Sequence, residues 1–324
     1  MSKQTLKQLI TQLQLPSPVT EIQCPLLTDA KIRLYVKRDE LIHPVIQGNK
    51  WRKLKYNLHQ AEKNRQQTLL SFGGAYSNHL HALAAIGKTA GFKTIGIIRG
   101  EAPKQLNPCL QDMLNWGMQL DFISRKDYRL KSDAQFIQQL HQQHGKFHLI
   151  PEGGNNQAGI QGCAEILHEL KDHYDFICCE VGSGTLLTSL ILHNNNPHTQ
   201  FLGFAVMKNT QLEQEISDNL NHCVAPGHIS GTHWQINHHY HFGGFAKTST
   251  ELNAFIHHFK QQHHIQLEPV YSGKMLYGIL DMIKHNHFKN GSRILAIHGG
   301  GLQGLRGFAV DFPGQLPLSD NFDL

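Results

Sequence analysis

LLSFGGAYSNHLHALAAIGKTAGFKTIGII, residues 69–98, decides the fold class. Leu69–Phe72 is a short apolar run that stops at Gly73-Gly74, which reads as a strand ending in a turn. Ser77 to Ala90 is rich in alanine and leucine and reads as a helix, and Thr94–Ile98 is again of β type. A strand, a helix and a second strand in that order form a crossover, the connection that parallel strands require.

The alternation continues outward from this unit. Helices are expected near Gln105–Trp116, at Ala134–His144, near Ala158–Leu170, from about Thr185 and at Lys274–Lys284. Strands are expected at Gln119–Ile123, His148–Ile150, Phe176–Val181, Phe201–Met207 and Arg293–Ile297. This pattern predicts an α/β protein with mostly parallel sheets and helices on both faces. Two packed α/β units fit the number of strands, and one doubly wound domain is the alternative. Asn221–Gly244, rich in His, Gly and Asn, reads as loops with one short strand.

Composition excludes several classes. With 324 residues and 40% hydrophobic content, the chain can build a core without metal or disulfide staples, and it is not disordered. Lys plus Arg is 30 against 25 for Asp plus Glu, and no dense basic stripe appears, so nucleic acid is not an expected partner. The six cysteines form no CxxC, and Cys178-Cys179 sit in an apolar run, which suits a reducing compartment. MSKQTLKQLITQLQL lacks the apolar core of a signal peptide, and no apolar run is long enough for a membrane span. A cytoplasmic location is the expectation. Among the 24 histidines, HHYH at 238–241 does not have the spacing of a structural zinc site, and His257, His258, His263 and His264 read as exposed.

CCEVGSGTLLTSLI, residues 178–191, is the sharpest glycine loop. A strand ends at Val181, then Gly182, Ser183, Gly184 and Thr185 precede a helix. Amides at a helix N-terminus, small residues and hydroxyls make a cup for phosphate. A turn kept small for packing is the alternative. GxxxxGK[ST] does not occur, and this loop lacks the third glycine of GxGxxG, so it is neither a Walker nor a dinucleotide site. In GNKWRKL, residues 48–54, Arg52 and Lys53 read as a solvated helix start. Lys50 follows a Gly-Asn turn, where a cleft can hold an amine that loses its proton easily. Ser77 and Asn78 stand at a helix start and read equally as N-caps, and Tyr271 precedes Ser272-Gly273 at another. A phosphorylated ligand and a lysine able to bond to it are together the demands of pyridoxal phosphate.

At these residues the chain resembles the 1-aminocyclopropane-1-carboxylate deaminase and D-cysteine desulfhydrase family, pyridoxal-phosphate enzymes of the tryptophan-synthase-β fold type. The motifs are QGNKWRKL (47–54), SFGGAYSNH (71–79), PEGGNNQAGIQG (151–162), EVGSGT (180–185), EPVYSGK (268–274) and ILAIHGGGLQGLRGF (294–308). The resemblance implies a two-domain, three-layer αβα fold. A smaller α/β domain of residues 52–160 is inserted into a larger cofactor-binding domain of residues 1–51 and 161–324. It implies that Lys50 bonds to the cofactor with Asn49 beside it, and that Asn78 faces the 3′-oxygen. Ser77 would meet the substrate carboxylate or act in proton transfer. Gly182, Ser183, Gly184 and Thr185 would hold the phosphate, and Tyr271 would face the substrate from across the ring. A homodimer and a small amino-acid substrate are implied as well.

The last motif departs from the family. Deaminases resemble VLYAHLGG there, with a tyrosine taking part in ring opening, and Ala296 stands at that position here. Desulfhydrases resemble LFIHTGG, with a threonine near the ring nitrogen, and here that position is Gly299. Leu186-Leu187 also replace the smaller residues usual after the phosphate loop. The resulting expectation is β-elimination of D-cysteine to pyruvate, ammonia and sulfide. The alternatives are a racemase or an eliminase of another D- or β-substituted amino acid, cyclopropane deamination, and a cofactor-binding protein with little catalysis.

Overall fold

Residues 69–98 form the expected crossover unit: a strand at Thr68–Gly73, a helix at Asn78–Ala90 and a parallel strand at Lys93–Arg99, with Leu69 opposite Thr94. The helix starts where the Ser77 hydroxyl accepts the Leu80 amide, and it stops at Gly91, which has a positive φ of 73°. The structure is a computed structural model that describes residues 3–223 and 232–308.

Among the described residues ten strands form two sheets. They are β1 (Val19–Ile22), β2 (Arg33–Lys37), β3 (Thr68–Gly73), β4 (Lys93–Arg99), β5 (Met118–Ile123), β6 (His148–Ile150), β7 (Phe176–Val181), β8 (Gln200–Ala205), β9 (His233–Asn237) and β10 (Arg293–Ile297). The larger sheet runs β1-β2-β10-β7-β8-β9 and the smaller β5-β4-β3-β6. Every pairing is parallel except β1 with β2. The α/β architecture expected from the sequence is therefore present. β1, β2 and the helices Lys3–Thr11 and Thr250–His263 add elements whose short or polar-rich sequences gave no clear periodicity. Of Asn221–Gly244, residues 221–223 end a helix and His233–Asn237 form β9, while 224–231 lie outside the described residues.

Both faces of both sheets are covered. Along β10, Ile294 and Ala296 join one apolar layer while Leu295 and Ile297 join the other, as a period of two dictates. In β3, Leu69 faces one layer and Leu70 and Phe72 the opposite one. Such strands read as continuous apolar runs because neither face meets water.

Arg52 and Lys53 are not a solvated helix start. Both are buried in the helix Asn49–Lys63, Arg52 completely. The Arg52 guanidinium donates Nε to Asp39 at 2.6 Å, and it donates to both Glu169 oxygens at 2.9 Å. Lys37 donates to Glu169 and, at 2.7 Å, to the Ser17 carbonyl. These contacts join β2, the segment before the Asn49 helix, and the helix Gln157–Glu169, all beside the candidate site.

The histidines also differ in part from the expectation of exposure. His257 and His263 are half-buried, and His258 and His264 are exposed. His43, His79, His81 and His298 are buried. No helix among the described residues is long and apolar enough to cross a membrane.

Candidate active site

The chemistry-bearing segments meet at the carboxyl ends of the strands. Gly48 caps the Asn49 helix with φ 58° and ψ −142°, a conformation open to glycine and costly for other residues. It lies against the turn after β10: a Cβ at Gly48 would stand 1.9 Å from the Gly299 carbonyl oxygen. The Asn49 amide donates to that carbonyl at 3.2 Å, and the Leu302 amide donates to Gln47 Oε1 at 2.9 Å. The motifs at 47–54 and 294–308 are thus one packed unit. Replacing Gly48 with alanine is expected to cost about 1–3 kcal/mol from backbone strain alone, with more from the collision. Urea denaturation and titration with pyridoxal phosphate should both show the loss.

Lys50 begins the helix half-buried, and its amine donates to Asn49 Oδ1. Burial, aided by the nearby Lys53 charge, holds the Lys50 amine well below an ordinary lysine, while Glu180 acts the other way. Behind it, His79 contacts Ser71 Oγ through Nε2 at 3.0 Å. Burial and the two lysines push the His79 imidazole down to about 3, so it stays neutral. Lys50 therefore sits in surroundings that disfavour positive charge.

The loop 182–185 leads from β7 into the helix Thr185–Leu192, whose first amides have no partner within the helix. Gly184 takes φ 75° at the cap. Ser183 Oγ and Thr185 Oγ1 are 2.9 Å apart, and Thr185 Oγ1 donates to Asn155 Oδ1 at 2.9 Å. Asn155 belongs to PEGGNN (151–156), which sequence reasoning left without a role. Leu186 and Leu187 turn into the apolar core, so their size does not close the cup.

Ser77 caps its helix, the role that the sequence offered as its alternative. Asn78 is half-buried, and its Oδ1 accepts from Gln303 Nε2. Tyr271 precedes the helix Ser272–Lys284, and its ring reaches the glycine loop: a Cβ at Gly182 would lie 3.4 Å from Tyr271 Cε1. Glu268 fixes this turn by accepting the Val270, Tyr271 and Ser272 amides at 2.7–2.8 Å. Burial, with Glu268 and Glu180 adding to it, raises the Tyr271 phenol and keeps it protonated.

Two residues at the ends of β7 and β10 complete the wall. A Cβ at Gly299 would lie 2.0 Å from Glu180 Oε1 and 2.7 Å from Asn49 Nδ2. Glu180 is buried, its carboxyl is raised by that burial, and its Oε2 has no partner among the described residues. Sequence reasoning missed Glu180 and Glu268, although both stand in quoted motifs. An acidic residue closing an otherwise apolar strand was the available signal for Glu180.

Ala296 is placed differently from the expectation. It is fully buried, opposite Val36 in β2 and Cys178 in β7, in the apolar layer with Leu27, Ile256 and Leu276. A side chain at 296 projects into that layer, so alanine there carries no information about ring opening.

These residues fit pyridoxal phosphate. A lysine in surroundings hostile to charge, a hydroxyl-lined helix start and a buried carboxyl group with an unpartnered oxygen stand close together. The family profile described as pyridoxal-phosphate dependent enzyme matches residues 10–300. A Thermotoga maritima protein, provisionally assigned as a 1-aminocyclopropane-1-carboxylate deaminase, is 30% identical over 84% of this chain and 89% of its own length. The mitochondrial bifunctional D-cysteine desulfhydrase/1-aminocyclopropane-1-carboxylate deaminase of Arabidopsis thaliana is 27% identical over 90% of this chain and 77% of its own. The crystal structure of a homologue of the deaminase shares the fold, with a TM-score of 0.79 at 24% identity over 96% of this chain and 98% of the other. The chain belongs to the pyridoxal-phosphate dependent enzymes, within the 1-aminocyclopropane-1-carboxylate deaminase and D-cysteine desulfhydrase family, and is a lyase- or deaminase-like enzyme that binds this cofactor.

Proposed function

We propose that the enzyme deaminates 1-aminocyclopropane-1-carboxylate to 2-oxobutyrate and ammonia. The observation that carries this reading is that an amine of lowered basicity, Lys50, and a protonated phenol, Tyr271, share the buried carboxyl groups of Glu180 and Glu268 as neighbours. Opening the three-membered ring is a net isomerisation: one ring methylene loses a proton and the other gains one. A base and an acid are therefore needed together. The burial of Ala296 removes the sequence objection to this reaction, and the deaminase names among the relatives support it.

In this reading Lys50 bonds to the cofactor aldehyde, and Asn49 orients its amine. Gly182, Ser183, Gly184 and Thr185 hold the phosphate, with Asn155 fixing the Thr185 hydroxyl. Asn78, steadied by Gln303, faces the 3′-oxygen. Bound pyridoxal phosphate supplies an electron sink for the pair released at the substrate α-carbon. The Lys50 amine would accept the proton from one ring carbon. Tyr271 delivers a proton to the other, and Ser77 meets the substrate carboxylate. The unsaturated amine that leaves then hydrolyses to the keto acid and ammonia.

β-Elimination of D-cysteine is the second reading, favoured by the bifunctional plant relative. Lys50 would then take the α-proton, and Tyr271 would protonate the departing sulfide. Purified enzyme given each substrate separately tests both: 2-oxobutyrate from the cyclopropane is the expected result. Pyruvate and sulfide from D-cysteine with no 2-oxobutyrate would overturn the first reading in favour of the second. The family likeness further supports a cytoplasmic homodimer, checked by light scattering. It also supports residues 52–160 as the inserted smaller domain, since all four strands of the smaller sheet fall within 68–150.

A further inference from the structure

We propose that the Glu180 carboxylate is the partner of the cofactor's ring nitrogen and keeps a proton on it. This deepens the reading above and rests on its placement of Lys50 at the aldehyde and of the loop 182–185 at the phosphate.

In pyridoxal phosphate the nitrogen lies across the ring from the aldehyde-bearing carbon, and the phosphate arm and the 3′-oxygen flank that carbon. Lys50, the glycine loop and Asn78 account for those three groups. The nitrogen is left to the remaining wall, the ends of β7 and β10. No hydroxyl is available at 299, because the residue is glycine. The space that a side chain would fill there holds Glu180 Oε1, 2.0 Å from where a Cβ would stand. Gly299 and Glu180 are thus complementary: the missing side chain makes room for the carboxylate.

Of the other titratable groups packed around this point, Tyr271 is assigned to the substrate in the reading above, and Glu268 and His298 are committed to hydrogen bonds. Glu268 accepts three backbone amides and the Ser272 hydroxyl. His298 uses Nε2 on the Gln266 carbonyl at 2.8 Å and Nδ1 on the Gly300 amide at 3.2 Å. Lys50 is bonded to the cofactor in the holoenzyme. Glu180 Oε2, buried and without a partner among the described residues, is the carboxyl oxygen beside Gly299 that is left to accept. A buried carboxylate oxygen left unpaired is costly, and a protonated ring nitrogen would satisfy it with a charge-assisted hydrogen bond. A hydroxyl partner can hydrogen-bond a neutral nitrogen, whereas an anion favours the protonated one. The expected consequence is a stronger electron sink than a hydroxyl would allow.

The test is nitrogen NMR of the full-length holoenzyme loaded with cofactor isotope-labelled at the ring nitrogen, without substrate, across neutral pH. The wild-type signal should lie at the pyridinium position, and Glu180→Gln should move it to that of the neutral ring. A double variant, Glu180→Ala with Gly299→Ser, places a hydroxyl in the vacated space and should also give the neutral signal. A neutral ring in the wild type overturns the proposal, and that measurement needs no variant to fold. A pyridinium signal that persists in Glu180→Gln overturns it as well. A wild-type pyridinium lost in Glu180→Gln, together with no 2-oxobutyrate from the cyclopropane, would sink the substrate reading and leave this assignment standing.

Discussion

Replacing Lys50 with alanine should abolish the absorption band of the lysine-bound cofactor and lower turnover by about 10³-fold or more. The magnitude follows from the tasks lost together: covalent attachment, and a proton-transfer group that by itself contributes roughly 10²–10⁴-fold. The site geometry sets a further expectation. Only a neutral amine attacks an aldehyde, so attachment of pyridoxal phosphate to cofactor-free enzyme should speed up as pH rises. Because burial and Lys53 hold the Lys50 amine below its usual range, that rise should be complete well below the ordinary lysine value of about 10.4. Stopped-flow absorbance of cofactor binding across pH gives the profile. An attachment rate still climbing near the ordinary lysine value would contradict the surroundings described for Lys50. A band that survives in Lys50→Ala would remove this residue from the chemistry altogether.

The second large effect is on stability. Arg52→Ala leaves Asp39 fully buried without its guanidinium, and Glu169 with Lys37 as its one remaining cation here. Breaking a buried pair by removing one partner costs about 3–5 kcal/mol, because the remaining charge is stranded away from water. The urea midpoint should fall accordingly. Arg52→Lys should recover only part of it, since one ammonium cannot reproduce the fork that reaches both carboxylates. Arg52 lies two positions after Lys50 on the same helix, so cofactor affinity should weaken along with stability. An Arg52→Ala unfolding free energy within about 0.5 kcal/mol of wild type, the range of ordinary surface substitutions, would show that the network does not hold this helix.

The contrast between Arg52 and Lys50 shows where sequence reading stops. Both stand in one basic run, and a basic run is ordinarily solvated. The partners that bury Arg52 are Asp39 and Glu169, one of them more than a hundred residues away, and no local pattern announces them. Lys50 was legible because the Gly-Asn turn before it is a local feature. Ala296 was misleading for a related reason. Its place in a motif suggested a site position, whereas strand periodicity turns its side chain into the apolar layer with Ile294. Glu180 was overlooked because its importance depends on Gly299, which a neighbouring strand brings alongside.

By itself the sequence determined the crossover architecture, the small-residue loop at 182–185 between a strand and a helix, the helix start after Gly48 and, through its motifs, the family and cofactor. These are encoded locally, in hydrophobic period, turn residues and short spacings. Tertiary structure alone decided that the segments around Gly48 and Gly299 pack into one unit, and that Asn155 closes on Thr185. It also decided that Glu268 holds the Tyr271 turn and that Glu180 fills the space left by Gly299. Each of those depends on atoms far apart in the chain meeting where water is excluded, and there a single Cβ or one unpaired oxygen changes what the site can hold.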